Sequence, residues 1–234
     1  MRPPRRLPLA LALTALALTA LAAAPARGQS VTVGTAGQSN CIPFGCAFAV
    51  TRYQQVYAAG ALGGPAAITS VAFQTVFPTN PAISAATYAL RLGYTQAPVN
   101  GLSGALAANV AGPLAAFATL SLPVGPAPST LTFVGAAPFA YDPALGNLLL
   151  DLLIDDPQGG YASFAADDSG VATSRAYQEG DYSGADAVGL VTTFGLAPAP
   201  VTTAPEPGTW ALLGTGLLAL GAVARRRVNA ATAP

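Results

Sequence analysis

Over residues 29–195 polar and apolar side chains alternate in short runs bounded by turn residues, and this pattern limits the fold more than any other feature. In Asn147-Leu-Leu-Leu-Asp-Leu-Leu-Ile-Asp155, Leu148, Leu150, Leu152 and Ile154 fall on one face and Asp151 and Asp155 on the other. Thr87-Tyr-Ala-Leu-Arg-Leu-Gly-Tyr94 places Tyr88, Leu90, Leu92 and Tyr94 together and turns Arg91 the opposite way. Val71, Phe73 and Phe77 share a face with Thr69 and Thr75, and Leu131 shares one with Phe133. Period two is the pleat of an antiparallel strand with one wet face. Further strands are predicted at 31–35, 47–57, 116–122, 161–164, 173–177 and 188–194. Gly63-Gly64-Pro65, Asn100-Gly101, Asp142-Pro143 and the run from Asp156 to Gly160 punctuate them. One helical segment has room to form at 101–110, weakened by Gly104 and Asn109. About ten short strands predict an all-β domain, an antiparallel two-sheet sandwich of jelly-roll type.

The charges are unevenly distributed. The chain of 234 residues is formally neutral, with ten basic and ten acidic residues and no histidine. Between 29 and 204 the only cations are Arg52, Arg91 and Arg175, set against nine carboxylates, a formal charge of −6. An acidic domain without lysine is unsuited to nucleic acid or anionic lipid.

Both ends carry the remaining arginines beside greasy segments. Arg2, Arg5 and Arg6 precede the apolar stretch Leu7 to Ala24, followed by small residues. This is the layout of a secretory signal peptide, residues 1–28, with cleavage after Ala26 or after Gly28. At the other end, residues 196–204 form a Pro-rich, extended linker. Pro205-Glu206-Pro207 then introduces an uncharged run, Gly208 to Ala224, that stops at Arg225, Arg226 and Arg227. As a helix that run reaches roughly 25 Å, against a hydrocarbon core of about 30 Å. Trp210 at one end and the arginines at the other suit the two interfaces, with the arginines on the cytoplasmic side. A buried core helix is a poor alternative, because no polar face exists to meet water. A plain C-terminal membrane anchor remains one.

The order Pro-Glu-Pro, short spacer, Gly/Leu-rich helix and arginine cluster over 204–227 resembles the PEP-CTERM sorting signal of Gram-negative, exopolysaccharide-producing bacteria. The resemblance implies an exosortase as partner, cleavage near Pro205-Glu206-Pro207, and passage of the upstream domain to the cell surface or extracellular matrix. Exopolysaccharide or a surface glycan is then the expected surrounding. The stretch from Thr132 through Pro138-Phe-Ala-Tyr-Asp-Pro to Asp151 is similar to a segment of exported β-sandwich proteins of this group, in which a Tyr-Asp-Pro turn leads into a core strand.

Chemistry is thinly represented. Cys41 and Cys46 are an even, closely spaced pair in an exported chain, which reads as a structural disulfide. Without histidine there is no Ser–His or Cys–His machinery and no usual zinc site. A glycosidase needs two carboxyls across a sugar bond, and none of the nine is marked for that work. The acidic stretches Asp167-Asp168-Ser169-Gly170 and Glu179-Gly180-Asp181-Tyr182-Ser183-Gly184-Ala185-Asp186 hold the oxygen ligands calcium takes, though they match no EF-hand. They give one candidate surface, Asp167, Asp168, Glu179, Asp181, Tyr182 and Asp186, for calcium or for a carbohydrate. The leading reading is a non-enzymatic surface or matrix protein without a cofactor. A carbohydrate-binding module is the alternative, and a polysaccharide hydrolase the third reading.

Overall fold

Alternation of the kind found in 147–155 produces sheets whose inner faces must meet, and the computed structural model shows how they do. It describes residues 28–46, 50–76, 81–197, 213–220 and 225. The chain divides into two units, Met1–Ala199 and Pro200–Pro234. The signal peptide falls outside the described residues apart from Gly28.

In the first unit one sheet has four strands, in the order β1 (Gln29–Val33), β15 (Thr192–Leu196), β4 (Ala66–Gln74) and β9 (Thr130–Tyr141). A second has six, in the order β13 (Tyr182–Asp186), β12 (Thr173–Glu179), β3 (Val50–Tyr57), β10 (Asn147–Gln158), β6 (Ala85–Thr95) and β7 (Ala111–Leu122). Two small sheets complete the unit. One is β14 (Gly189–Leu190), β11 (Phe164–Asp167) and β2 (Gln38–Asn40); the other pairs β5 (Ala82–Ile83) with β8 (Gly125–Pro126). All pairings between these strands are antiparallel. The all-β reading is correct.

The two large sheets share one core. Leu148, Leu150, Leu152 and Ile154 of β10 are buried as the alternation predicts, beside Tyr88, Leu90 and Leu92 of β6. They join Val71 and Phe73 of β4, Leu131 and Phe133 of β9, and Phe194 of β15 in a single cluster. Across it, the rings of Tyr57 and Phe194 meet edge to face, 4.9 Å apart. Burying each such side chain is worth about 1.5–3 kcal/mol. The Tyr57 hydroxyl bonds Thr192 Oγ1 at 2.8 Å, and Gln55 Nε2 donates to Leu190 O at 2.7 Å, so the polar groups between the sheets are satisfied. Burial pushes the Tyr57 phenol far up, and it stays protonated.

Several details depart from the sequence reading, among them the strand read at 161–164, which runs instead over Phe164–Asp167. Thr69 does not share the core face with Val71. The pairing of β4 with β9 slips between Ile68 and Ser70, and this irregularity turns Ile68 inward while Thr69 Oγ1 donates to Gly195 O at 3.0 Å. The segment 101–110 forms only a 3-10 turn, Leu106–Asn109. Its apolar side chains still matter, because Leu102 and Leu106 pack on Val56, Leu149 and Ala176 on the outer face of the six-stranded sheet. And β15 continues through Leu196, one residue into the stretch read as linker.

The Tyr-Asp-Pro turn takes the form the resemblance implies. Asp142 Oδ1 accepts from Ala144 N at 3.0 Å, capping the 3-10 turn Pro143–Leu145 that leads into β10. In the second unit, residues 213–220 are helical and exposed. Among the described residues no helix is long and apolar enough to cross a membrane. The expected span 208–224 lies only partly among them.

Candidate functional site

Cys41 and Cys46 are joined in a disulfide that closes the turn between β2 and β3. Closing so short a loop contributes about 2 kcal/mol in the chain-entropy account. Within the loop, Gly45 N donates to Cys41 O at 2.7 Å and Ser84 N donates to Phe44 O at 2.7 Å. A Cβ on Gly45 would lie 1.8 Å from Ala162 O, a backbone atom, so only glycine lets the loop press this closely. The disulfide loop thereby drives Phe44 into the core, 5.2 Å from Phe73, 5.4 Å from Tyr88 and 5.3 Å from Phe164 between ring centroids.

The six residues of the candidate surface occupy different settings. Asp167 is buried at the end of β11, where Oδ2 accepts from Thr35 N at 3.0 Å and Oδ1 from Ser169 N at 2.8 Å. Burial pushes its carboxyl up, but the hydrogen bonds from Ser169 and Thr35 outweigh this and hold it below its ordinary 3.8. Both oxygens are committed to fixing the backbone. Asp168 is exposed, beside Gly37. Glu179 to Asp186 is not an open loop, as the sequence suggested, but a hairpin. Glu179 pairs with Tyr182 around Gly180-Asp181, and β13 runs back along β12 to Asp186 opposite Arg175. Arg175 grips Asp186 in a fork, Nε to Oδ1 at 2.9 Å and Nη2 to Oδ2 at 3.0 Å, and Nη1 donates to Asn40 Oδ1 at 2.7 Å. Among the described residues no three His, Cys, Asp or Glu side chains are placed to hold one metal ion. Of the tyrosines, Tyr177 and Tyr182 pair on the hairpin with centroids 6.1 Å apart. Tyr161 is exposed elsewhere, its amide bonded to Ala82 O.

A pH dependence follows from Asp167. Because its folded pKa lies below the unfolded value of about 3.9, its contribution is full above that value and is lost as pH falls through the folded one. Asp167→Asn is therefore expected to flatten the acid limb of the stability profile below about pH 4. Melting temperatures of both proteins across that range are the check, and identical slopes would contradict the assignment.

The most concentrated charge constellation is one that sequence reasoning left in solvent. Asp151 faces outward on β10, yet it is fully buried. Oδ1 accepts from Arg52 Nε at 2.9 Å and Gln54 Nε2 at 2.7 Å, and Oδ2 from Arg91 Nε at 2.9 Å and from Arg91 Nη2. Asn109 extends the network by donating to Gln54 Oε1 at 2.8 Å while its own Oδ1 accepts from Ser103 N. A signal was present: Leu149 and Leu153 share Asp151's face, and an outward face that apolar asks for a cover. The segment 97–110 supplies it. Every acceptor position on this carboxylate serves packing and charge balance, so it is a structural centre.

Of the sorting residues, Arg225 is helical and exposed, while Pro205, Glu206, Pro207, Arg226 and Arg227 lie outside the described residues. Residues 203–227 match the family described as the PEP-CTERM protein-sorting motif. No curated protein and no solved structure matches the chain.

Proposed function

Since the chain carries a PEP-CTERM sorting motif at 203–227, the signal through which an exosortase recognises its substrates, we propose that it is an exported, non-enzymatic surface or matrix protein. Residues 1–28 direct export and are removed. Residues 208–224 hold the exported chain in the inner membrane until an exosortase acts at Pro205-Glu206-Pro207. The β-rich unit then works in the envelope or its exopolysaccharide.

The sorting motif is the observation that carries this reading. The disulfide adds to it, because such bonds persist in exported proteins and are rare in the cytosol. The strand order supports a jelly-roll sandwich as the delivered unit. In chain order β1, β3, β4 and β6 alternate between the two large sheets, and β7, β9, β10 and β15 alternate again to close them. The β12–β13 hairpin is an addition at one edge. Export and anchoring fit the formal charge of −6 over 29–204, with cations kept for the two ends.

The test is a tail variant in the native host. Glu206→Ala combined with alanine at Arg225, Arg226 and Arg227 is expected to lower the surface pool by about tenfold, the effect of losing ~1.4 kcal/mol of recognition. The uncleaved precursor should accumulate in the inner membrane. A surface pool unchanged by these substitutions would sink the sorting reading.

A further inference from the structure

The β12–β13 hairpin carries an aromatic ring at the surface. Tyr182 is 60 % exposed. A Cβ on Gly184 would lie 2.6 Å from the Tyr182 hydroxyl oxygen and 3.0 Å from its Cζ. The hydroxyl end of the ring thus lies along β13 over the bare backbone at Gly184, where a side chain would displace it. Tyr177 on β12 braces it from the side at an interplanar angle of 54°, and the Arg175 guanidinium sits 5.2 Å from the Tyr177 ring centre. Folding explains Tyr177, which packs against the core. It does not explain a second ring left largely exposed beside it.

Hydrogen-bonding groups continue the line of the ring. Arg175, Tyr177 and Glu179 of β12 share a face with Tyr182, Gly184 and Asp186 of β13. Asp186 follows Gly184 by two residues, roughly 7 Å further along the strand, about the length of one sugar ring beyond the tyrosine. Asp186 Oδ1 accepts from Arg175 and from Val188 N, whereas Oδ2 accepts from Arg175 alone and keeps a lone pair for a donor.

A flat ring with a carboxylate one sugar length away suits a ligand with a C–H face and flanking hydroxyls. Positively polarised C–H groups rest on the negative face of the ring, and a hydroxyl donates to the carboxylate in a charge-assisted bond. Charge selects among such ligands. Glu179 and Asp181 lie next to the ring, neither in an ion pair among the described residues, and repel an anionic polymer. Arg175 already balances Asp186, which leaves that carboxylate as an acceptor of hydroxyls and not a seat for a cation. We propose that this hairpin is a binding platform for a neutral polysaccharide strand, one sugar stacking on Tyr182 and hydroxyls bonding Asp186. The proposal rests on the matrix reading, to which it adds the ligand class.

Affinity electrophoresis of the full protein from its native host tests it, in gels containing a neutral β-glucan, a galactomannan or dextran, with alginate and chitosan as the charged polymers. Retardation by at least one neutral polymer is expected, and Tyr182→Ala should weaken it by about tenfold. Gly184→Val should do the same by evicting the ring, and Tyr182→Phe should retain most of the binding. Melting temperatures of the variants close to the parent's identify the loss as a loss of binding. Retardation by no neutral polymer, retardation by the charged polymers alone, or equal retardation of Tyr182→Ala would overturn the proposal. A protein that reaches the surface through its tail and yet ignores every neutral polymer would sink this inference and leave the sorting reading standing.

Discussion

Replacing Asp151 with alanine is expected to destabilise the β-rich unit by about 3 kcal/mol, the lower end of the range for breaking a buried pair. The lower end applies because Arg52 and Arg91 are 22 % and 29 % exposed and turn partly to water when the carboxylate is gone. What remains is two guanidinium groups, on the strands either side of β10, without their shared counter-charge, and a Gln54 amide without its acceptor. Asp151→Asn keeps an acceptor and loses the charge, so its loss should be smaller. Urea denaturation of the three proteins is the measurement. A change under about 1 kcal/mol for Asp151→Ala, the size of a surface pair, would show that the carboxylate does not hold the three central strands together.

Phe44→Ala is expected to cost about 3–5 kcal/mol, the usual price of emptying a large aromatic site in a core. The ring touches Phe73, Tyr88, Phe133 and Phe164, which come from four different strands, so its loss leaves a cavity at their meeting point. Removing the disulfide with a double serine variant should cost less, about 2 kcal/mol, because the loop can still insert its ring. That order, Phe44 above the disulfide, separates a loop whose task is to seat a side chain from one whose task is only to crosslink. Thermal melts under oxidising conditions decide it.

The strands that sequence reading found are those whose alternation is local. In β10 and β6 the leucines and tyrosines announce their face without reference to any other part of the chain. The Cys41–Cys46 pair and the sorting motif are equally local, a spacing in one case and an ordered tripartite pattern in the other. What escaped depends on partners far away in sequence. Asp151 reads as wet until the segment 97–110 is laid over it. Ile68 reads as outward until the slip against β9 reverses the parity of β4 at that point. The Glu179–Asp186 stretch reads as an acidic loop because Gly180, Ser183 and Gly184 weaken strand propensity. Its pairing with β12 and the grip of Arg175 on Asp186 overcome that preference. Of the six candidate surface residues, Tyr182 and Asp186 share one face of this hairpin, whereas Asp167 is spent on backbone hydrogen bonds. The significance of Tyr182 lies in the empty position at Gly184, and a missing side chain signals little in a sequence with 25 glycines.

The most direct measurement of the central claim is the intact mass of the protein recovered from the surface fraction of its native host. The account predicts a chain beginning at Arg27 or Gln29, containing the Cys41–Cys46 bond, and ending near Pro205-Glu206-Pro207 without Trp210 or the arginine cluster. A surface protein whose mass retains Trp210 through Pro234 would contradict it, and would make the tail an anchor instead of a signal for removal.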